Sequence, residues 1–281
     1  MSITTDERVA RPDTAGVDPV LATTVSPRAR RWWRATGVLL ALASLLWGAF
    51  SVINLLAHEE SSETSTYAAS DVMRLDIASD TGSVTVQAGT GDSVLIRTDI
   101  SRGLGTTETT ERLTSGVLEL RGRCRGPNAV WCSVDYVVEI PADRFVTIDA
   151  SNGTVVVRGL TGNVEIDNDN GRIEVDDVGG DLSVSNDNGS IVARGLSSSV
   201  VRADNDNGRI DLSFDEAPDS VTASTSNGGI AVEVPDTDVA FDVDIRASNG
   251  STESGVRTDP ASSNRIELST DNGSIVVRPA L

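Results

Sequence analysis

The sequence contains no lysine: all 23 of its basic residues are arginine. Histidine is nearly as scarce, with His58 alone. A single histidine next to an apolar run excludes histidine-based triads and multi-histidine metal sites from the remainder of the chain. Aromatic residues make up only 4% of the chain, and cysteine occurs twice. There is no phosphate-binding loop and no dinucleotide fingerprint, so no cofactor is expected. The strings Asp167–Gly171 and Asp204–Gly208 both read DNDNG and resemble calcium loops. In an EF-hand frame with Gly171 at position 6, however, Ile166 falls where the first oxygen ligand belongs. The glycine-rich nonapeptide calcium repeat is not matched either. No metal ligands are assigned, and a column of Asp169, Asp187 and Asp206 reads as solvated corner residues, with cation attraction as the alternative. Acids are abundant, but no pair stands out as a glycosidase dyad.

Charge is divided unevenly along the chain. Residues 1–57 hold four acids and six arginines, a net of +2, whereas the rest holds 38 acids against 17 arginines, a net of −21. A surface of that sign repels phosphate backbones, so no nucleic-acid partner is expected.

Residues 37–57, GVLLALASLLWGAFSVINLLA, carry no charge. Helical, they would reach roughly 31 Å, about the thickness of a bilayer's hydrocarbon core. Arg28, Arg30, Arg31 and Arg34 precede the run, and His58, Glu59 and Glu60 follow it. The positive-inside bias then places the N-terminus in the cytoplasm and the C-terminal domain outside it, as a single-pass membrane protein. A cleaved signal peptide has a shorter apolar core and a small-residue exit, unlike the LLAHEE here. The expected organisation is a disordered cytoplasmic tail with a basic juxtamembrane segment over 1–35 and a transmembrane helix over 36–57. A polar stalk over 58–70 and a β-repeat ectodomain over 71–281 follow.

From Ala150 onward the sequence repeats. Asn-Gly pairs recur at Asn152-Gly153, Asn170-Gly171, Asn188-Gly189, Asn207-Gly208, Asn227-Gly228, Asn249-Gly250 and Asn272-Gly273, with glycine spacings of 18, 18, 19, 20, 22 and 23. Such a period marks a repeat architecture. In the unit Gly171–Asn188, Ile173 and Val175 share one face of a strand, and Leu182 and Val184 share one face of a second. The next unit places Ile191 and Ala193 likewise, then Leu196 at a turn, then Val200 and Arg202 in a weaker strand. An early copy is read at Gly82–Val86, followed by Val94-Leu95-Ile96. The expected fold is all-β, a β-solenoid of 18–23-residue coils in which equivalent residues stack and the Asn-Gly asparagines form a ladder. The alternative is a meander in which each Asn-Gly is a hairpin turn. Pro279 lacks an amide donor and suits a blunted final edge.

Residues 102–149 interrupt the period. Cys124 and Cys132 flank a Gly-Pro-Asn turn and suggest one disulfide. Arg121, Arg123, Arg125 and Trp131 in this hairpin form a possible binding cluster. The other reading is that Trp131 covers the end of the solenoid while the arginines offset nearby acids.

The segment VVEIPADRFVTIDASNGTVVVRGLTGNVEIDNDNGRIEVDDVGGDLSVSNDNGSIVARGL resembles the putative-adhesin family of bacterial β-strand-repeat domains of unknown function. The resemblance spans roughly residues 70–281. It implies a membrane-anchored β-helix and carries over no catalytic residue. The expected function is non-enzymatic, adhesion-like binding or scaffolding at the cell envelope, with a wall polymer, a glycan or an envelope protein as partner. The alternatives are a polysaccharide-active β-helix enzyme, by analogy of fold alone, and an envelope-stress accessory factor whose tail meets a cytoplasmic partner.

Overall fold

A computed structural model describes residues 27–56, 59–102, 106–126 and 132–280. The N-terminal tail, His58 and Trp131 lie outside the described residues. The chain divides into two compact units, Met1–Ile53 and Asn54–Leu281.

Pro27–Leu56 form one helix, all but its last turn in the first unit, which begins before the charge-free run and takes in the basic segment. Over Arg31–Val52 its mean hydropathy is 1.9, and none of that window is buried. Its few hydroxyls are satisfied within the helix. Thr36, Ser44 and Ser51 donate to the carbonyls of Trp32, Leu40 and Trp47 at 3.0, 2.9 and 2.9 Å. Such back-bonding removes the cost of placing a hydroxyl in an apolar medium.

The second unit is mostly β, a mixed sheet of 19 strands that does not close on itself. Its first part holds β1 (Glu59–Ala68), β2 (Arg74–Ser79), β3 (Val84–Ala88), β4 (Ser93–Arg102), β5 (Thr106–Thr114), β6 (Val117–Arg125) and β7 (Ser133–Ile140). The repeat region follows with β8 (Phe145–Asn152), β9 (Val155–Arg158), β10 (Val164–Asp176), β11 (Leu182–Leu196), β12 (Val200–Asn207), β13 (Ile210–Phe214), β14 (Ser220–Asn227) and β15 (Ile230–Val234). The chain ends with β16 (Asp242–Asn249), β17 (Thr252–Ser254), β18 (Arg265–Asn272) and β19 (Ile275–Pro279).

Successive repeats pair in parallel, with equivalent residues opposite one another. Val146 lies beside Val164, which lies beside Leu182, and Leu182 lies beside Val201. A second row runs Val155, Ile173, Ile191, Ile210 and Ile230. All of these side chains are buried. Alternation sends most of the residues between them outward, so each of these strands turns one face to the core. Asn170-Gly171 does not form a hairpin turn. β10 passes straight through it, its two halves pairing with β8 and β9 on one side and with β11 on the other.

The order of strands departs from the order of the chain at both ends. β2 and β3 lie between β6–β7 and β8–β9. β18 and β19 lie between β14–β15 and β16–β17. Pro279 is therefore not on a final edge; it pairs with Val234, and the outermost strands at that end are β16 and β17. Repeat spacing identifies which residues stack but carries no information about which repeat lies outermost.

Three further expectations are corrected. Residues 59–68 are not a stalk but the edge strand β1, antiparallel to β4 from Glu59↔Arg102 to Ala68↔Ser93. Its Ser, Thr and Glu suit a strand exposed on most of its length, where charge discourages pairing with another chain. Within 102–149, β6 and β7 extend the parallel array beside β2 and β3 instead of interrupting it, and only β5 hangs antiparallel on β6. The third concerns phase. Val201 and Ala203 face inward, whereas Val200 and Arg202 are exposed. The longer repeat takes its extra residue in the turn after Leu196: Asp176 still lies opposite Arg194, 18 positions on, whereas Leu182 lies opposite Val201, 19 on, and one residue of slip exchanges the two faces of a strand.

Candidate functional site

The chemistry of the β domain lies in columns that run from strand to strand. The outermost column on the corner consists of the Asn-Gly asparagines. Asn188 donates through Nδ2 to Oδ1 of Asn170 at 3.2 Å, Asn207 to Asn188 at 3.2 Å and Asn227 to Asn207 at 3.1 Å. The ladder then passes to Asn272 and only afterwards to Asn249, at 3.1 and 3.2 Å. Asn152 and Asn170 donate instead to the carbonyls of Asp80 and Ser151.

A second, interior column was not recognised in the sequence. Asn168, Asn186 and Asn205, followed by Thr225 and Thr270, are buried one layer inside the corner. Asn186 and Asn205 donate to the carbonyls of Gly171 and Gly189 at 3.2 and 3.0 Å, and Thr225 and Thr270 donate to those of Gly208 and Gly228. Parity was the available signal: Asn168 shares the inward parity of Val164 and Ile166. The column ties each corner to its neighbour where an apolar side chain would leave those carbonyls without a side-chain donor.

The outward face of the first row is polar. Asp149, Asp167, Ser185, Asp204 and Ser224 lie opposite one another in successive strands, and Ser269 follows Ser224. Ser224 donates to Asp204 at 2.5 Å. Beside this column Asp204, Asp206, Ser224, Ser226 and Asp271 line a shallow groove of about 180 Å³. The column concentrates like charge. Partial burial, reinforced by the carboxylates of Asp149, Asp169 and Asp187, pushes the Asp167 carboxyl above the ordinary carboxylate range, and a hydrogen bond with Ser185 opposes the shift. The folded chain thus holds this proton more tightly than the unfolded chain does. The stabilising contribution is present when the group is protonated and is lost as pH rises above the ordinary value of 3.8. In Asp167→Asn that loss should disappear. Urea midpoints compared between about pH 4 and pH 7 should show the wild type losing ground to the variant as pH rises.

The second row carries a larger groove of about 380 Å³, lined in part by Arg194, Arg209, Asp211, Glu233 and Arg278. Arg209 pairs with Asp211 at 2.5 Å and Arg278 with Glu233 at 3.1 Å. Among the described residues, no group of three or more His, Cys, Asp or Glu converges to hold a metal ion.

Arg121, Arg123 and Arg125 line the solvent face of β6. Arg125 pairs with Glu108 across the hairpin at 3.0 Å, and Arg121 approaches Glu119 at 3.9 Å. These are exposed pairs in high dielectric, each contributing about 0–1 kcal/mol. Cys124 and Cys132 are joined as a disulfide, with Cα atoms 6.0 Å apart. The bridge closes the loop between β6 and β7. Paired Cys124→Ser and Cys132→Ser substitution should cost roughly 2.5 kcal/mol on the chain-entropy account, read as a lower denaturation midpoint with unchanged slope. At the same end, Tyr67 hydrogen-bonds Glu111. That bond first, then burial and the Glu111 charge, pushes its phenol up to about 12.

No protein-family model matches the chain, and no curated protein matches it. Its resemblance to the putative-adhesin family therefore remains a resemblance. Solved structures similar to it include a putative adhesin from Bacteroides fragilis NCTC 9343, at 14% identity over 78% of this chain and 97% of that one, with a TM-score of 0.46. A putative adhesin from Parabacteroides merdae ATCC 43184 shows 11% identity over 79% and 97%, with a TM-score of 0.43. A putative cell adhesion protein from Clostridium sporogenes ATCC 15579 shows 10% identity over 79% and 100%, with a TM-score of 0.33.

Proposed function

We propose that this chain is a single-pass membrane protein whose β domain is a solenoid held outside the cytoplasm, where it binds an envelope polymer without chemical turnover. The apolar helix is the anchor, and the arginines before it fix the N-terminus on the cytoplasmic side. The in-phase parallel pairing of the repeats supports the solenoid.

The observation that carries the binding role is the column of Asp149, Asp167, Ser185, Asp204, Ser224 and Ser269. Carboxylates and hydroxyls there recur at strand spacing, about 4.8 Å. A linear polymer rich in hydroxyl groups meets such a column with one donor after another and so gains affinity through repetition. Hydrogen-bond donors from that polymer also offset the partial burial, and after it the neighbouring carboxylates, that raise the Asp167 pKa.

The test is co-sedimentation of residues 59–281 with isolated cell envelopes, with heat-denatured protein as control. Saturable binding by the folded domain, lost when Asp167, Asp204 and Ser224 are replaced together by alanine, is the expected result. Binding that survives this triple substitution would remove the column from the role. No binding above control would set aside the polymer-binding reading altogether.

A further inference from the structure

We propose that Asn249 is a site of spontaneous backbone modification, the one Asn-Gly pair of the seven that cyclises to a succinimide in the folded protein. This goes beyond the binding role and does not depend on it.

Asn-Gly is the pair most open to this chemistry, because glycine has no side chain to shield its amide nitrogen. The Gly250 amide nitrogen gives up its proton and attacks Cγ of Asn249. The new C–N bond closes a five-membered ring, the bond from Cγ to Nδ2 breaks, and ammonia leaves with the proton. One water molecule then opens the ring at either carbonyl, giving aspartate or isoaspartate. No oxidant or other reactant is consumed.

An amide whose N–H is held in a hydrogen bond cannot supply the nitrogen until that bond opens. Gly153, Gly208, Gly228 and Gly273 donate to the carbonyls of Asn170, Asn227, Asn272 and Asn249 at 3.0, 2.8, 2.9 and 3.0 Å. Gly171 lies inside β10, opposite Gly189 of the next repeat, and Gly189 lies inside β11 between Asn188 and Ile191, whose partners Asn207 and Ile210 belong to the next repeat. Each of these six glycines therefore has a following repeat against it, and four donate to its asparagine carbonyl. Gly250 has no following coil. β16 is the outermost strand of its row, and the Gly250 N–H donates to no group among the described residues. The Asn249 side chain is also the last rung. Its Nδ2 donates back to Asp271 and Asn272, while its Oδ1 accepts from no further asparagine. Asn249 and Gly250 are both exposed, so base and water reach them. The crossover at the C-terminal end decides the position: in chain order the last pair is Asn272-Gly273, but in space it is Asn249-Gly250.

The experiment ages the full chain in detergent micelles at mildly alkaline pH and digests it with trypsin. Cleavage after arginine puts the seven pairs on seven separate peptides, with Asn249 on Ala247–Arg257. Mass spectrometry then follows aspartate and isoaspartate at each. Asn249 should convert at least about tenfold faster than any other pair, the ratio that an opening cost of about 1.4 kcal/mol at the internal rungs imposes. A parallel sample in guanidinium chloride should convert all seven at similar rates. Uniform rates in the folded protein, fastest conversion at Asn272, or the same preference for Asn249 in guanidinium would each overturn the proposal.

Discussion

Replacing Gly189 with alanine is expected to destabilise the β domain by at least about 4 kcal/mol, beyond the range of ordinary surface substitutions. An added Cβ would lie 1.8 Å from the carbonyl oxygen of Gly171. The obstacle is backbone, not a side chain that can swing away. Moving it would shift β10 against both neighbours, because the Gly171 position is itself paired into the ladder. The φ of +139° at Gly189 adds a conformational cost of about 1–3 kcal/mol for any residue with a side chain. Gly179→Ala is the control. It lies in a turn of the same region, and its added Cβ would meet nothing nearer than Thr161 Cγ2 at 3.8 Å. That variant should remain within about 1 kcal/mol of wild type. Urea denaturation of both variants checks the pair, and equal effects would contradict close stacking at the corner.

Ending the chain after Asn264 should have the second large effect. The lost segment contributes Ile266, Leu268, Ile275 and Val277, all buried. At roughly 1.5–3 kcal/mol each, their burial amounts to roughly 6–12 kcal/mol, comparable to the whole stability of a typical domain. The damage should also reach residues that are still present. β16 and β17 pair only with β18 and β19, so residues 242–254 lose every ladder partner they have. Limited proteolysis should cut the shortened chain within 235–264 while leaving the full chain intact there. Protection of that segment in the shortened chain would mean that β16 stacks directly on β14.

Much of this architecture was legible in the sequence. The Asn-Gly period located the corners, and alternation placed Ile173, Val175, Leu182 and Val184 inside. The phase of Val200 was misread because the turn between Leu196 and Val201 holds one residue more than its counterpart between Val178 and Leu182, which hydrophobicity alone does not reveal. β1 was missed because an edge strand rich in Ser, Thr and Glu has the composition of a linker. The positions of β2–β3 and β18–β19 were not readable at all. The repeats present similar inward columns of aliphatic and small polar side chains, so one repeat can stack on another in more than one order. For the candidate site, the outward carboxylates were visible as residues. Their convergence at Asp167 required knowing that Asp149 lies beside it.

The placement of β18 and β19 also bears on how the protein is made. A chain synthesised from its N-terminus normally completes a stack by adding each coil to a finished neighbour. Here β18 and β19 belong between two pairs of strands synthesised before them. Until they arrive, β14 and β16 each present an open strand edge, the feature by which unfinished β proteins aggregate and by which proteases recognise them. Synthesis of β18 and β19 is thus what conceals those edges. A molecule interrupted before β18 differs from one that contains β18 and β19 in the exposure of those strand edges, so quality control can separate the two by surface alone.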